Sequence, residues 1–359
     1  MRIAIDAREL RGKPTGVGRM VRTLLDEWTT MPAAQAHEFV SLAPAERSKG
    51  GTLWEQLTLP RLVRQGSADV LFAPAYSGPV VSSVPVVVLI HDVSFVAHPE
   101  WFGWREGTRR RVTTRLAARA ATRIITVSEF SKREIAAHLG IEASKISVCY
   151  PGVTAFADFR EANHKGSPDG CTVLFVGSIF NRRHVPELIE GFTQLARSRP
   201  EMQLEIVGDN RTTPHVDLES LVKATDIADR IQLRSYVSDD DLRKRYAEAA
   251  AFVYLSEYEG FALTPLEALA SGVPVLLLDT PVAREVYGDA ASYIARPDPA
   301  LIADAIRMVL FEPHHRERML QAATTVVRRY SWTTFAKQVL DLLLDAGSRG
   351  PKGSAPHTR

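Results

Sequence analysis

Short uninterrupted apolar runs alternate with longer stretches in which apolar residues recur every three or four positions, along almost the whole chain. The runs at residues 2–6, 68–72, 84–90, 123–127 and 146–149 read as buried strands, and those at 172–176, 202–207, 231–237, 251–255 and 273–278 repeat the theme. Between them the 3.6-residue period predicts helices over 17–28, 104–121, 129–139, 185–198, 218–228 and 239–250. Three more close the chain over 299–311, 314–330 and 331–345. Strands alternating with helices predict an α/β chain, with parallel sheets covered by helices on both faces.

Punctuation divides this pattern in two. The run at 146–149 leads into a Pro-Gly turn, and residues 155–170 are polar, with Gly166, Pro168 and Gly170. The expected domains are 1–154 and 171–330, joined by a linker over 155–170. Residues 331–346 then form a last helix, and 347–359 lack any apolar pattern and are expected to be disordered. A chain of 359 residues suits two domains of ordinary size.

The most informative stretch runs from Leu255 to Asp279. An apolar run ends at Leu255, a polar loop follows, and Thr264-Pro265-Leu266-Glu267 opens a helix with Thr264 as N-cap and Pro265 as first helical residue. The helix stops at Ser271-Gly272, before another buried strand. A helix N-terminus at the carboxyl edge of a parallel sheet is an anion site, because unbonded N–H groups and the helix dipole point outward. Glu259 and Glu267 flank it. Carboxylates do not bind phosphate, so their partners are hydroxyls, and the combination asks for a ligand with phosphates and a polyol, such as a nucleotide sugar. The local alternative for Glu267 is a capping-box glutamate, three residues after Thr264.

Other candidates lie at strand ends. The strand at 172–176 runs into Gly177-Ser178-Ile-Phe-Asn-Arg182-Arg183-His184. Guanidinium forks match phosphate oxygens, and cations at a helix start are misplaced unless an anion joins them. Gly16-Val17-Gly18 opens the first helix, where glycine lets a backbone approach a phosphate. The pattern is not the dinucleotide fingerprint, which disfavours an NAD oxidoreductase. His91 follows directly on the strand at 84–90. Ser238-Asp-Asp-Asp241 resembles a metal-binding Asp-x-Asp, but it starts a helix, and capping by Ser238 is the better reading.

Residues 101–123 carry seven arginines against one acid, Glu106. Arg111, Arg115, Arg119 and Arg123 recur every four residues and are expected to form one stripe, ordinarily a solvated face. The alternative is contact with anionic lipid or a phosphorylated acceptor, favoured by nearby Trp101, Phe102 and Trp104.

Composition narrows the class without changing it. Hydrophobic residues make up 45% and charged ones 24%, as in a soluble globular protein, and a net charge of +2 gives no reason to expect nucleic acid. Cys149 and Cys171 are far apart and in strand-like runs, so reduced core thiols are expected. The chain opens on a strand rather than a signal peptide, and its apolar runs are too short to span a bilayer, which predicts a cytoplasmic protein, with the inner membrane face as a further option.

The stretch from Glu259 to Glu267 closely resembles the E-x7-E element of retaining glycosyltransferases of family 4, and residues 1–346 follow that family's layout. IHDVSF (90–95), CYPGVT (149–154) and the segment from Val282 to Asp289 are similar to its other elements. The resemblance implies the GT-B fold: two Rossmann-like domains facing each other across a cleft, with the last helix crossing back to the first. It implies transfer of a hexose, taken as mannose, from a nucleoside diphosphate sugar to a hydroxyl with retention of configuration, in polysaccharide or glycoconjugate synthesis. In that family the second glutamate, here Glu267, holds the ribose, and the first, Glu259, meets the donor sugar. Arg182 and Arg183, with Gly177 and Ser178, fall in the diphosphate element. Gly16 and Val17 face the diphosphate, Val237 meets the base, and Gly260, Phe261, Ala262 and Leu263 complete the donor loop. His91 stands near donor sugar and acceptor, so His91, Arg183 and Glu259 are the expected catalytic groups. No metal or cofactor is implied beyond the donor, and the acceptor is a glycan or lipid-linked hydroxyl. Peripheral membrane contact through residues 105–123 stays the alternative to a solvated face. The chain departs from the family where Arg183 replaces a usual lysine, His184 an asparagine, Ser178 an occasional arginine and Ala262 a common glycine. A nucleotide-sugar epimerase and a non-catalytic nucleotide-sugar binder are the alternatives.

Overall fold

A computed structural model describes residues 1–11, 16–45, 51–154 and 171–349. The linker expected over 155–170 and the tail from residue 350 lie outside the described residues. The chain forms two α/β units, one of Met1–Gly152 with the segment from Ser331, the other of Val153–Tyr330.

The first unit contains β1 (Arg2–Asp6), α1 (Gly16–Thr30), β2 (Glu38–Leu42), α2 (Leu59–Gln65), β3 (Val70–Ala73), β4 (Val86–Leu89), α3 (Ser94–Ala97), α4 (Trp104–Ala120), β5 (Arg123–Thr126), α5 (Glu129–Leu139) and β6 (Ile146–Val148). Its strands form one parallel sheet in the order β2-β1-β3-β4-β5-β6. All residues of β3 and β4 are buried, which is why these strands read as unbroken apolar runs rather than alternations. Strand β2, helix α2 and the single-turn α3 escape the pattern. Strand β2 is a half-exposed edge whose apolar run is broken by Ser41. Helix α2, preceded by a π turn over Trp54–Thr58, carries Pro60 in its first turn, where the missing N–H costs nothing.

The second unit contains β7 (Cys171–Val176), α6 (Val185–Ala196), β8 (Met202–Val207), α7 (Leu218–Lys223), β9 (Ile231–Arg234), α8 (Asp239–Glu248), β10 (Ala251–Tyr254), α9 (Leu263–Ala270), β11 (Val275–Leu278), α10 (Pro281–Tyr287), β12 (Ala291–Ile294), α11 (Pro299–Phe311) and α12 (Pro313–Arg328). The sheet order is β12-β11-β10-β7-β8-β9, again parallel throughout. Edge strand β9 ends at Arg234, so Tyr236 and Val237 belong to a loop rather than to the strand expected over 231–237. Strand β12 escapes the pattern because Ala-Ser-Tyr-Ile is short and only partly apolar.

Helix α13 (Trp332–Ser348) returns to the first unit. It runs past the expected end at 346, so Gly347 and Ser348 are helical rather than part of a tail. Ser331 caps it, accepting from the Thr334 amide at 3.3 Å. Phe335, Ala336, Val339, Leu340 and Leu343 are buried, and the Trp28 indole donates to the Ala336 carbonyl at 2.9 Å. The chain enters α13 hard against Gly152, where a Cβ would lie 2.1 Å from the Trp332 nitrogen. Among the described residues no helix is long and apolar enough to cross a membrane.

The strand orders say where a ligand belongs. In a parallel sheet the crevice opens at the carboxyl ends of the two neighbouring strands from which the connections run in opposite directions. Those pairs are β1 and β3 in the first sheet and β7 and β10 in the second.

Candidate active site

The β7/β10 crevice collects most of the residues singled out in the second unit. Strand β7 is followed directly by Gly177, whose φ of +144° few side chains adopt, and a Cβ there would sit 2.9 Å from Arg183 Nη1. The glycine therefore lets Arg183 fold back over the strand end, where Nη1 donates to the Ser178 carbonyl at 2.6 Å. Gly208, at the end of β8, is equally constrained, since a Cβ there would lie 1.9 Å from the Gly177 carbonyl oxygen. Strand β10 ends at Tyr254 and leads through Ser256 to Glu259.

Four donors converge on one oxygen of Glu259. Arg183 Nε and Nη2 reach Oε1 at 3.0 and 2.7 Å, and the Tyr254 and Ser256 hydroxyls each donate to it at 2.9 Å. None of the four reaches Oε2. Burial pushes the Glu259 carboxyl up, but the charges of Arg183 and Arg182 and the bonds from Ser256 and Arg183 outweigh it, so its pKa is lowered and the group is ionised at neutral pH. The Tyr254 hydroxyl is pushed far above its ordinary value, first by burial, and stays a donor. Arg183 is thus engaged by a carboxylate of its own chain, while the Arg182 guanidinium stacks on the Phe180 ring at 4.4 Å.

His184 takes a left-handed conformation, with φ +52°, at the position before α6. Its ring bridges Glu187 through Nδ1 at 3.2 Å and Glu257 through Nε2 at 3.0 Å. Burial lowers its pKa, but the two carboxylates more than reverse this and leave it raised.

The loop after Glu259 differs from the sequence reading at its corner. Helix α9 starts at Leu263 rather than at a Thr264 cap, and the N-cap position is Ala262 with φ +64°. Thr264 lies inside the first turn, so Glu267 belongs to no capping box. The left-handed corner is held by Tyr287, whose buried hydroxyl donates to the Ala262 carbonyl and reaches the Phe261 carbonyl at 3.4 Å. No side chain caps the helix, which leaves its N-terminal turn suited to an anion. Glu267 Oε2 accepts from the Tyr246 hydroxyl at 2.9 Å, and Tyr246 is itself 1% exposed. A concavity of ≈ 270 Å³ opens beside Glu259, with Ser256, Ala262, Thr280 and Tyr287 in its wall. Val237 lies half-buried in the loop after β9, and Ser238 caps α8 as expected, accepting from the Asp241 amide at 3.1 Å.

The matching crevice of the first unit holds a buried ion cluster. Arg8 sits between two buried carboxylates, with Nη2 at 2.7 Å from Asp6 and 2.6 Å from Glu55, and the Ser77 hydroxyl donates to Glu55 at 2.6 Å. Desolvation keeps the Asp6 pKa raised despite Arg8. His91 lies further along the same sheet edge, after β4. Its Nε2 is 3.0 Å from the Pro74 carbonyl, and a carbonyl only accepts, so Nε2 carries the proton and Nδ1 the lone pair. Burial lowers its pKa against the opposing Pro74 carbonyl and Asp92, which keeps the ring neutral near pH 7. The Tyr76 ring packs against it at 5.1 Å and donates through its hydroxyl to Asp92 at 2.9 Å. Gly16 and Val17 form the first turn of α1, and a Cβ on Gly16 would meet nothing within 4 Å. Cys149 is buried and free, its thiol pushed up to about 12 by burial, and Cys171 is free as well.

Residues 15–155 match the family described as Glycosyltransferase Family 4, and residues 158–326 match Glycosyl transferases group 1. The chain belongs to glycosyltransferase family 4. It is 25% identical over 290 residues to the O-antigen chain mannosyltransferase RfbU of Salmonella typhimurium, covering 81% of this chain and 77% of that one. It is 26% identical over 323 residues to the alpha-D-kanosaminyltransferase of Streptomyces kanamyceticus, covering 84% and 83%. Among solved structures it superposes on Anabaena HepE in complex with UDP-glucose with a TM-score of 0.72 at 18% identity, over 96% of this chain and 100% of that one. For the sucrose-phosphate synthase of Thermosynechococcus elongatus the TM-score is 0.77 at 17% identity, over 98% and 100%. The fold is therefore GT-B and the protein a glycosyltransferase. That these relatives are transferases and a synthase does not favour the epimerase alternative.

Several residues of this candidate site carry no signal in the sequence. Tyr254, Ser256, Tyr246 and Tyr287 read as ordinary strand, loop and helix positions. Gly208 had the best prospect, because it ends its strand as Gly177 does.

Proposed function

We propose that this glycosyltransferase moves a hexose, mannose, from a nucleoside diphosphate donor to a hydroxyl of a glycan or lipid-linked acceptor, with retention of configuration. The observation that carries the reading is the Glu259 carboxylate, ionised and clamped through Oε1 at the β7/β10 crevice, which leaves Oε2 to accept from sugar hydroxyls. Glu267, oriented by Tyr246, is assigned to the ribose hydroxyls. Arg182, Arg183 and the uncapped N-terminus of α9, with Gly260, Phe261, Ala262 and Leu263 in its lead-in, are assigned to the diphosphate. There they stabilise the charge that grows on the leaving oxygen. Gly177 and Ser178 form the turn that seats Arg183, Gly16 and Val17 are assigned to the diphosphate from the first unit, and Val237 to the base. Neutral His91 offers Nδ1 as an acceptor for a substrate hydroxyl. Two relatives named O-antigen chain mannosyltransferases support mannose and a glycan acceptor.

The test is a thermal-shift screen over UDP-, GDP- and ADP-sugars, followed by NMR of the transfer product. GDP-mannose should raise the melting temperature most, and the product should keep the anomeric configuration of the donor. A protein that no nucleotide sugar stabilises would falsify the site assignment, and a larger shift with another donor would replace mannose alone.

A further inference from the structure

His184 closes the turn that carries Arg182 and Arg183, and its carbonyl accepts from the Leu188 amide of α6 at 2.9 Å. Its Nδ1 meets Glu187, in the first turn of α6, at 3.2 Å. Its Nε2 lies 3.0 Å from Glu257, in the loop after β10, an approach of charges rather than an aligned hydrogen bond. Glu257 is tied back to the same turn, because its amide donates to the Arg182 carbonyl at 3.0 Å. Two donors of the Glu259 clamp are immediate neighbours of this pair: Arg183 precedes His184, and Ser256 precedes Glu257. Both donate to Oε1 of Glu259. The loop after β8 meets the turn through an uncharged bond, from the Thr213 amide to Asn181 Oδ1 at 2.6 Å, and its Asp209 and Arg211 pair with each other at 3.3 Å. The charges set against the ring are therefore Glu187 and Glu257, with Arg182 and Arg183 on its own turn.

A carboxylate only accepts, and a neutral imidazole donates from one nitrogen alone. In either neutral tautomer a lone pair faces one of the two carboxylates. Only the imidazolium is attracted to both. Burial disfavours that charge, but Glu187 and Glu257 more than reverse the effect and leave the His184 pKa raised. The asparagine usual at this position in family 4 has no charge to lose, so the arrangement belongs to this chain. We propose that His184 is a positioning residue for the Glu259 carboxylate: its imidazolium holds the turn after β7 to the loop after β10, and loss of its proton loosens the grip on the donor. This role rests on the assignment of Glu259 to the donor sugar.

The test follows donor affinity of the full chain by calorimetry from mildly acid to alkaline pH. The titrant is GDP-mannose, or the nucleotide sugar that gives a larger thermal shift. Wild-type affinity should fall about fivefold as the pH rises through the His184 titration, the scale of one partly screened ion pair. Asparagine also takes a left-handed backbone, so His184→Asn keeps the turn and removes only the charge. Its affinity should stay near the alkaline wild-type value at every pH. Glu257→Gln removes one anion from the ring, so the fall should move to lower pH. Nitrogen-15 NMR of the free protein, with the ring assigned by its loss in His184→Asn, should show His184 titrating above an ordinary exposed histidine. A profile shared by wild type and His184→Asn, a fall that Glu257→Gln leaves in place, or a ring titrating at or below the ordinary range would each overturn this role and leave the donor site standing. A protein that binds no nucleotide sugar would overturn the donor reading, and this role with it.

Discussion

At the scale of single residues, the two carboxylates proposed for the donor site are each held by neighbours of a different kind. Glu267 Oε2 accepts from the Tyr246 hydroxyl, and the start of α9 at Leu263 removes any capping-box role. Glu267→Gln keeps an oxygen for Tyr246 but turns the other position into an NH₂ donor, which cannot accept from a ribose hydroxyl. Hydrogen bonds to charged groups contribute roughly 1.5–3 kcal/mol, so donor affinity should fall about tenfold to a hundredfold with little change in apo melting temperature. Calorimetric titration beside a melting curve reads both, and wild-type affinity would remove Glu267 from the site. Glu259 is held differently, through donors that also depress its pKa. Ser256→Ala deletes one of them, so the carboxyl should protonate at higher pH than in the wild type. The acid limb of the donor-affinity profile should move to higher pH, with little change on the alkaline side. A profile that merely scales down at every pH would make Ser256 a packing residue.

At the scale of elements, the π turn before α2 is fastened to β1 by Arg8, which neutralises one of two buried carboxylates and bonds both, and to the loop after β3 by the Ser77 hydroxyl on Glu55. Removing the cation alone should cost more than any surface pair in the molecule, because it strands two nearly inaccessible anions. Arg8→Met is expected to destabilise the first unit by roughly 3–5 kcal/mol at neutral pH. The sign of the pH effect follows from the raised pKa of Asp6. In the variant Asp6 loses the lowering effect of Arg8 and titrates further above its unfolded value, so the folded state gains protons and stability as pH falls. The deficit should shrink from neutral pH toward the carboxylate range, and denaturant melts of both proteins across that range measure it. A deficit independent of pH would mean that lost packing, not stranded charge, is responsible.

At the scale of the whole molecule, the two sheets share a parallel plan but differ at their crevices. The first holds the buried Asp6, Arg8 and Glu55 cluster, and the second opens a concavity beside Glu259. The second unit is the one proposed to hold the nucleotide sugar. Its positive groups, Arg182, Arg183 and the α9 N-terminus, can offset a departing diphosphate. Transfer is therefore expected to persist in EDTA, and an absolute requirement for added Mg²⁺ or Mn²⁺ in a radiolabel transfer assay would sink that expectation.

The chain by itself determined the elements with a strong local period. Strand β1 and helices α5 and α11 have the predicted limits, because their apolar runs and caps are local and tertiary packing only ratifies them. It also determined the Glu259 and Glu267 pair, whose spacing follows from one loop and one helix turn. Weakly patterned elements such as β2 and β12 were illegible, since an edge strand needs few apolar residues when a neighbour supplies its hydrogen bonds. Tertiary structure alone decided which oxygen of Glu259 is clamped, because Arg183 is separated from it by 76 positions. Sheet order brings them together across β7 and β10. It alone put the corner at Ala262, through the Tyr287 hydroxyl, and chose the exposed arginines of α4. Periodicity tells which residues share a face, whereas the partner that face meets depends on how strands are ordered, and no local spacing encodes that order.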